Sequence, residues 1–434
     1  MKQRPWAAAT GAATLTGLLF VVVYNVCNRL THVRPDVGVW AFQWEQLWPV
    51  VPSMIVPYWS IDLLFVLAPF LCTTKEEVRT YRRRIIFVIA GAALGFLLIP
   101  LRFAFARPEV DGVFAPWFGA LYSFDFPHNL FPSLHIALRT ILADHYVRHS
   151  RGAGRWLVHG WFSLIGISTL LTWQHHLVDV LGGFWLAGIA LHLFRHDSPE
   201  TLRARNWTMV AIYGIAAIAC TQVARLSWPW TFILVWPAFA FGTAAFGYSG
   251  HGSIYRKLDG RLTPATKLLF APLLAGQWLS WWYYRRQSAR WSQLTPQVWL
   301  GPVLRDAEAN AAIAAGVTAV LDTTVEFSRP EPFWKVRYLN LPVLDLTAPS
   351  QDQLAEAAAF IARESATGIV IIHCKAGFSR TAGVAAAWLL ASGRAQSADD
   401  AFAQLAAVRP RIVIRPEIHV ALALFARGVN AIKP

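Results

Sequence analysis

The pattern of hydrophobic and polar positions divides this chain into two unlike parts. Up to about residue 250, long apolar runs recur with short polar breaks, at roughly 6–26, 54–72, 85–101, 133–147, 156–172, 177–194, 207–223 and 231–249. Runs close to the ~20 residues that cross a bilayer as a helix predict eight spans. From Trp291 onward the pattern becomes short aliphatic strands alternating with Ala-rich helices. Ala307 to Ala315 reads as a helix, Val317 to Leu321 as a strand and Val336 to Leu341 as an extended segment. Ser350 with Gln353 forms a capping box for a helix through Glu364. Gly368 to Ile372 is a strand, and Gly393 ends the Ala/Leu-rich helix after it. Between the two parts lies Leu268 to Tyr284, flanked by Lys267 and Arg285-Arg286. Pro272, Trp278, Trp281, Trp282, Tyr283 and Tyr284 mark it as a segment that lies in, or re-enters, the membrane interface. The expected fold is a multi-span α-helical membrane domain (1–250, core 54–195), a basic aromatic linker (251–295), and a soluble α/β domain (296–434).

Composition sharpens this. The 434 residues are 55% hydrophobic and 15% charged, with mean hydropathy +0.39, too apolar for a wholly soluble enzyme. The net charge is +14, but the basic residues fall in short loops between apolar runs. With the N-terminus inside, the inner loops 73–84, 148–155, 195–206 and 250–267 hold fifteen Lys and Arg; the longer outer loops hold five. That asymmetry predicts an integral protein of a bacterial-type inner membrane, both termini cytoplasmic, meeting anionic lipid rather than nucleic acid. The four cysteines, Cys27, Cys72, Cys220 and Cys374, show no metal-like spacing and no disulfide framework, and no cofactor is called for.

Candidate chemistry concentrates in His373-Cys374-Lys375-Ala376-Gly377-Phe378-Ser379-Arg380-Thr381, set between a strand and a helix. Backbone N–H groups of such a loop, with the helix N-terminus, make a cradle for a phosphate dianion and favour a thiolate. Gly377 allows close backbone approach, and Arg380 offers a planar fork to two oxygens. The C-x5-R pattern resembles the dual-specificity cysteine phosphatases. That resemblance implies that Cys374 attacks phosphorus, Arg380 holds the equatorial oxygens, Thr381 helps the thiolate leave and His373 orients the loop. It also implies a general acid about thirty residues upstream, where Asp345 stands, and an opening strand at Trp299-Leu300-Gly301-Pro302. HCKAG further resembles the loop of the phosphatidylglycerophosphate phosphatases, and Phe378 is placed to touch acyl chain or interface.

A second constellation lies in the apolar part: Arg102 and Arg107-Pro108; Pro132-Ser133-Leu134-His135; and His175-His176-Leu177-Val178-Asp179. Asp179 lies one helical turn from His175, so it can fix the imidazole by a hydrogen bond. Arg139 shares a helix face with His135; an arginine inside a span is a functional-site candidate, here either supplying charge to a phosphate or pairing with Asp62 of the second span. The set resembles the type-2 phosphatidic acid phosphatase superfamily over about 54–195. By that resemblance His175 is a nucleophile supported by Asp179, His135 protonates the leaving group, and Ser133 and the arginines hold phosphate. Two basic residues of that family are replaced here, by Pro100 and Thr169. PSLH in place of PSGH, with Ser168 to Thr172, looks more like the inositol phosphorylceramide synthase branch, which transfers headgroups. The expectation is a bifunctional enzyme acting on phosphate-bearing membrane lipids, or at the cysteine on a phosphoprotein. The alternative is one phosphatase on a non-catalytic lipid-binding anchor.

Overall fold

The computed structural model describes residues 4–196, 205–226, 231–251, 254–287 and 289–432. Residues 197–204 of the basic loop 195–206 lie outside that set. Two compact units result, divided at Ser198–Pro199 rather than at 250, because the apolar helices over 207–246 cluster with the C-terminal part of the chain.

The first unit is helical: α1 (Trp6–His32), α2 (Ile55–Leu67), α3 (Lys75–Leu98), α4 (Ala115–Phe124), α5 (Leu134–Arg148), α6 (Ala153–Leu171) and α7 (Leu177–Leu193). Thr74 caps α3 and Ser133 caps α5, each hydroxyl accepting a backbone N–H of the first turn. The core is the seam of α3, α5 and α7, with Ile85, Val88, Ile89, Ile141 and Ala187 buried in it. Small residues set the seam. A Cβ on Gly183 would lie 2.5 Å from the Ser133 carbonyl, so only a residue without a side chain lets α7 meet the start of α5 this closely. The outward faces stay apolar: Leu18, Trp156 and Leu157 are 62%, 79% and 75% exposed.

The second unit opens with α8 (Trp207–Leu226) and α9 (Val235–Phe246), which pack together. A hairpin comes next, β1 (Lys257–Leu258) and β2 (Arg261–Leu262), then α10 (Pro264–Leu269) and α11 (Ala271–Arg285). The α/β part comprises β3 (Ser292–Thr295), β4 (Val298–Pro302), α12 (Asp306–Ala314), β5 (Val317–Asp322), β6 (Arg337–Asn340), α13 (Gln351–Ser365), β7 (Ile369–Cys374), α14 (Arg380–Ala391), α15 (Ala398–Val408) and α16 (Pro416–Ile432). The sheet order is β3-β4-β7-β5-β6, parallel except for β3. β7 is central and covered on both faces, which is why it reads as an unbroken aliphatic run rather than an alternation. Its C-terminal end delivers Cys374 where the flanking strands stop, the usual ligand crevice of an open α/β sheet. The Ser350–Gln353 capping box forms as expected.

Helices occupy all eight apolar stretches. Among the described residues three, Trp6–His32, Pro52–Leu71 and Trp207–Leu226, are by length and composition able to cross a membrane. Leu268 to Tyr284 is kinked at Phe270. Its second half docks on the α/β part: Trp281 is buried and its indole N–H donates to the Val303 carbonyl (3.0 Å), while Arg285 pairs with Glu308 (2.5 Å).

Candidate active sites

β7 ends at Cys374, and the chain turns through 375–379 into α14. The Gly377 N–H donates to the Cys374 sulfur at 3.2 Å. Gly377 is required for a reason other than ligand approach. Its φ is +72°, and a Cβ there would lie 2.5 Å from the backbone of Gly301 on β4. A second arginine braces the loop from behind: buried Arg409 donates from Nε to the Gly377 carbonyl (2.9 Å) and from Nη2 to that of Ala376 (3.4 Å).

Arg380, the first residue of α14, is almost wholly buried. Its Nη1 and Nη2 donate to the two carboxylate oxygens of Glu326 (3.1 and 2.6 Å), Nη1 also to the Val343 carbonyl (2.9 Å), and Nη2 lies 3.2 Å from Asp345. Burial opposes the charge, but Glu326 and Asp345 outweigh it, so the guanidinium holds its proton more firmly than usual. The expected fork to two phosphate oxygens is therefore engaged with protein in the free state. Only Nε is left, buried with no partner, as are the Ser379 and Thr381 hydroxyls. Three orphaned polar groups on the consecutive residues 379–381, just after the cysteine loop, are an open demand for an oxyanion.

Asp345 stands at the same site. Its carboxylate pairs with Lys375 as well as Arg380, and Lys375 also donates to Gln277 of α11 (3.0 Å). Lys375 thus ties down the Asp345 loop rather than being free for the expected ligand contact. Burial alone would raise the Asp345 pKa; Arg380 and Lys375 bring it below the usual carboxylate range. The next residue, Leu346, has φ +60°, a left-handed conformation costing a non-glycine residue about 1–3 kcal/mol unless its surroundings impose it. Phe378 packs edge-on against Tyr284 of α11. Behind the loop, buried His373 lies 3.7 Å from Asp322; burial, first, holds its imidazole below the ordinary range against the pull of Asp322. Asp322 itself accepts from Lys257 of β1, from Tyr338 and from Thr324 (2.7 Å).

Residue patterns give little warning of Glu326, Asp322, Lys257 or Arg409. None belongs to a spaced motif; the one signal is an acidic residue that ends a buried strand (Asp322) or comes shortly after it (Glu326).

With this geometry in place, the family comparison decides the α/β part. Residues 298–427 match the family model "Dual specificity phosphatase, catalytic domain". The chain carries a dual-specificity phosphatase domain. Solved structures similar to it include PTPMT1 in complex with PI(5)P (24% identity, 33% of this chain and 98% of that chain, TM-score 0.31). PTPMT1 in a second structure is 26% identical over 32% of this chain and 96% of that chain, TM-score 0.31. A mouse putative dual specificity phosphatase complexed with zinc tungstate is 24% identical over 33% and 89%, TM-score 0.29. No curated protein matches the chain. The phosphatase match leaves the first 297 residues untouched, and no match to a type-2 phosphatidic acid phosphatase domain accompanies it.

In the helical unit, the starts of α5 and α7 are joined by a hydrogen bond from the Ser133 N–H to the Asp179 carbonyl (3.0 Å). That brings the His135 and His175 motifs to one end of the bundle. His135 stacks on Tyr58 (centroids 4.3 Å), and its Nε2 is buried without a partner. His175 Nδ1 is also orphaned: it lies 3.7 Å from Asp179, too long for the expected hydrogen bond. Asp179 is instead engaged by the His176 N–H at 2.8 Å. The neighbouring histidines differ sharply. His176 Nδ1 meets Glu45 (2.8 Å), and its Nε2 accepts from the Ala104 N–H (3.0 Å), so both nitrogens are consumed.

Several expected phosphate holders are occupied elsewhere. The Ser133 hydroxyl is the α5 cap, accepting from Ile136 N–H (3.3 Å). Arg139 turns away from His135 and donates to the Phe162 carbonyl of α6 (2.5 Å), beside the Phe184 ring. Arg107 donates to the Asp125 carbonyl (2.7 Å) and lies over Tyr122. Arg102 is exposed, its backbone tied to Gly38.

Proposed function

We propose that this chain is a membrane phosphatase whose Cys374 site hydrolyses the phosphate monoester of a lipid headgroup on the cytoplasmic side. A second phosphoryl-transfer site, at His175, lies on the opposite side of the membrane. The observation that carries the first part is the set of orphaned donors, Ser379 Oγ, Arg380 Nε and Thr381 Oγ1, on the turn and helix start that follow Cys374, whose sulfur the Gly377 N–H meets.

The contacts support the following chemistry. The Cys374 thiolate forms a bond to phosphorus as the bond to the headgroup oxygen breaks, and Asp345 gives its proton to that oxygen. Water then attacks the thiophosphate, Asp345 takes the proton, and the thiolate leaves with release of phosphate. In the free enzyme Arg380 and Lys375 keep Asp345 ionised. A bound phosphate dianion competes for the Arg380 Nη2 contact and offsets its charge, so Asp345 gains proton affinity when it must act as the acid. A lipid substrate is favoured by the walls of the site. Tyr284 and Gln277 of α11 border the catalytic loop, and the same helix exposes Trp278, Leu279 and Tyr283. Such a helix suits a membrane surface.

The His175 site is supported by two unpartnered histidine nitrogens at one end of an apolar bundle, where an orphaned polar group is costly unless it has a role. The observations on Ser133, Arg139 and Arg102 favour the alternative, a non-catalytic anchor. One experiment separates these: phosphate release by full-length protein in detergent from short-chain phosphatidylglycerophosphate, other lipid phosphates and a phosphotyrosine peptide. Wild type is compared with Cys374→Ser and His175→Ala. Loss of a different lipid substrate in each variant supports two sites. Indifference to His175→Ala leaves an anchor or a transferase lacking its acceptor. Preference for the peptide overturns the lipid reading.

A further inference from the structure

The loop that carries Asp345 is held from outside the phosphatase domain match, by the ends of α8 and α9. Tyr248, in the helical turn that continues α9, donates its hydroxyl proton to the Asp345 carbonyl at 3.0 Å. Asn206, just before α8, donates from Nδ2 to the Leu346 carbonyl at 2.8 Å. The two are tied to each other, since the Asn206 N–H donates to the Tyr248 carbonyl (2.9 Å), and Asn206 Oδ1 caps α8 by accepting from Met209 N–H (3.1 Å). Both side chains grip peptide carbonyls at the one place in this loop where φ is positive on a residue other than glycine, Leu346. Such a conformation persists only where the surroundings impose it, and here two side-chain donors on consecutive carbonyls do so. Lys375 fixes the carboxylate; Tyr248 and Asn206 fix the backbone beneath it.

We infer that Tyr248 and Asn206 are positioning residues for the general acid, so that the α8–α9 pair sets the catalytic competence of the Cys374 site. This rests on the reading of Asp345 as that acid. In the step that breaks the ester bond, a misplaced acid harms only substrates whose leaving group needs a proton. An alkyl phosphate releases a strongly basic alkoxide and depends on the acid; nitrophenyl phosphate releases a stable phenolate and does not.

The test uses full-length protein in detergent with a short-chain alkyl phosphate and nitrophenyl phosphate. Asp345→Asn, Tyr248→Phe and Asn206→Ser are made, the serine keeping a cap for α8 while withdrawing the Nδ2 donor. Asp345→Asn is expected to lower kcat/KM on the alkyl substrate, which reports the step that expels the leaving group, by about 100-fold or more, with little effect on kcat/KM for nitrophenyl phosphate. Tyr248→Phe and Asn206→Ser are each expected to lower the same alkyl kcat/KM on the order of tenfold, as a displaced catalytic group does. Combined with Asp345→Asn, neither should cost anything further. If Asp345→Asn shows no leaving-group selectivity, the acid reading fails. If it does, but both other variants act equally on the two substrates or add to Asp345→Asn, the positioning role is overturned.

Discussion

Cys374 and Arg380 were legible because the chemistry needs them at a fixed spacing in one short loop. Their surroundings were not, because those partners come from distant segments. The Arg380 guanidinium shows the difference. Its fork is filled by Glu326 and the Val343 carbonyl, so a lysine, with one point charge, cannot hold both partners and still meet phosphate. Arg380→Lys is expected to lower kcat/KM by about 100-fold or more in the phosphate-release assay, the loss typical of one electrostatic donor. Asp322 gives a pH signature. Burial raises its pKa, but Lys257 and His373 outweigh that and hold it below the usual carboxylate range. A depressed carboxyl stabilises the fold fully above its unfolded pKa of about 4 and loses that contribution as pH falls below it. Unfolding monitored by tryptophan fluorescence should therefore show Asp322→Asn weaker than wild type at pH 7, the gap narrowing as the medium is acidified. The histidine pair 175–176 teaches the same lesson. The sequence singles out His175 by its spacing to Asp179, but not the fate of His176, both of whose nitrogens are consumed by Glu45 and Ala104 from remote loops.

At the scale of elements, periodicity placed the helices and strands well, since each buried face is written locally. Docking partners were harder to read. The aromatic run 268–284 looks interfacial from composition, yet Trp281 faces the α/β part and Gln277 reaches the catalytic loop, one turn apart on α11. Truncating Trp281 to Ala removes a buried indole and its hydrogen bond. It is expected to cost about 3–5 kcal/mol, read as a lower midpoint in denaturant for the second unit. In the helical unit, Gly183→Ala puts a methyl where the Ser133 carbonyl lies. Overpacking of this kind costs about 1–3 kcal/mol, so a lower thermal midpoint of the detergent-solubilised protein is expected.

For the whole molecule, the phosphatase domain match begins at residue 298, but the compact unit that contains it begins at 199. Lys257, Gln277, Asn206 and Tyr248 all precede 298 and all touch residues of the catalytic region. A fragment from 199 onward is thus expected to keep Cys374-dependent hydrolysis of alkyl phosphates, whereas one from 290 onward should fold poorly or lose it, as circular dichroism and the same assay would report. The tie between α8–α9 and the acid loop has a physical corollary. The chain is helical over 232–249, about one membrane thickness, and its last turn holds the carbonyl of the acid. On the sequence expectation that both helices cross the bilayer, a tilt of the pair to match the lipid around it moves that turn. Reconstituted into vesicles of graded acyl length, the enzyme would then report bilayer thickness as a change in how fast it releases a poor leaving group.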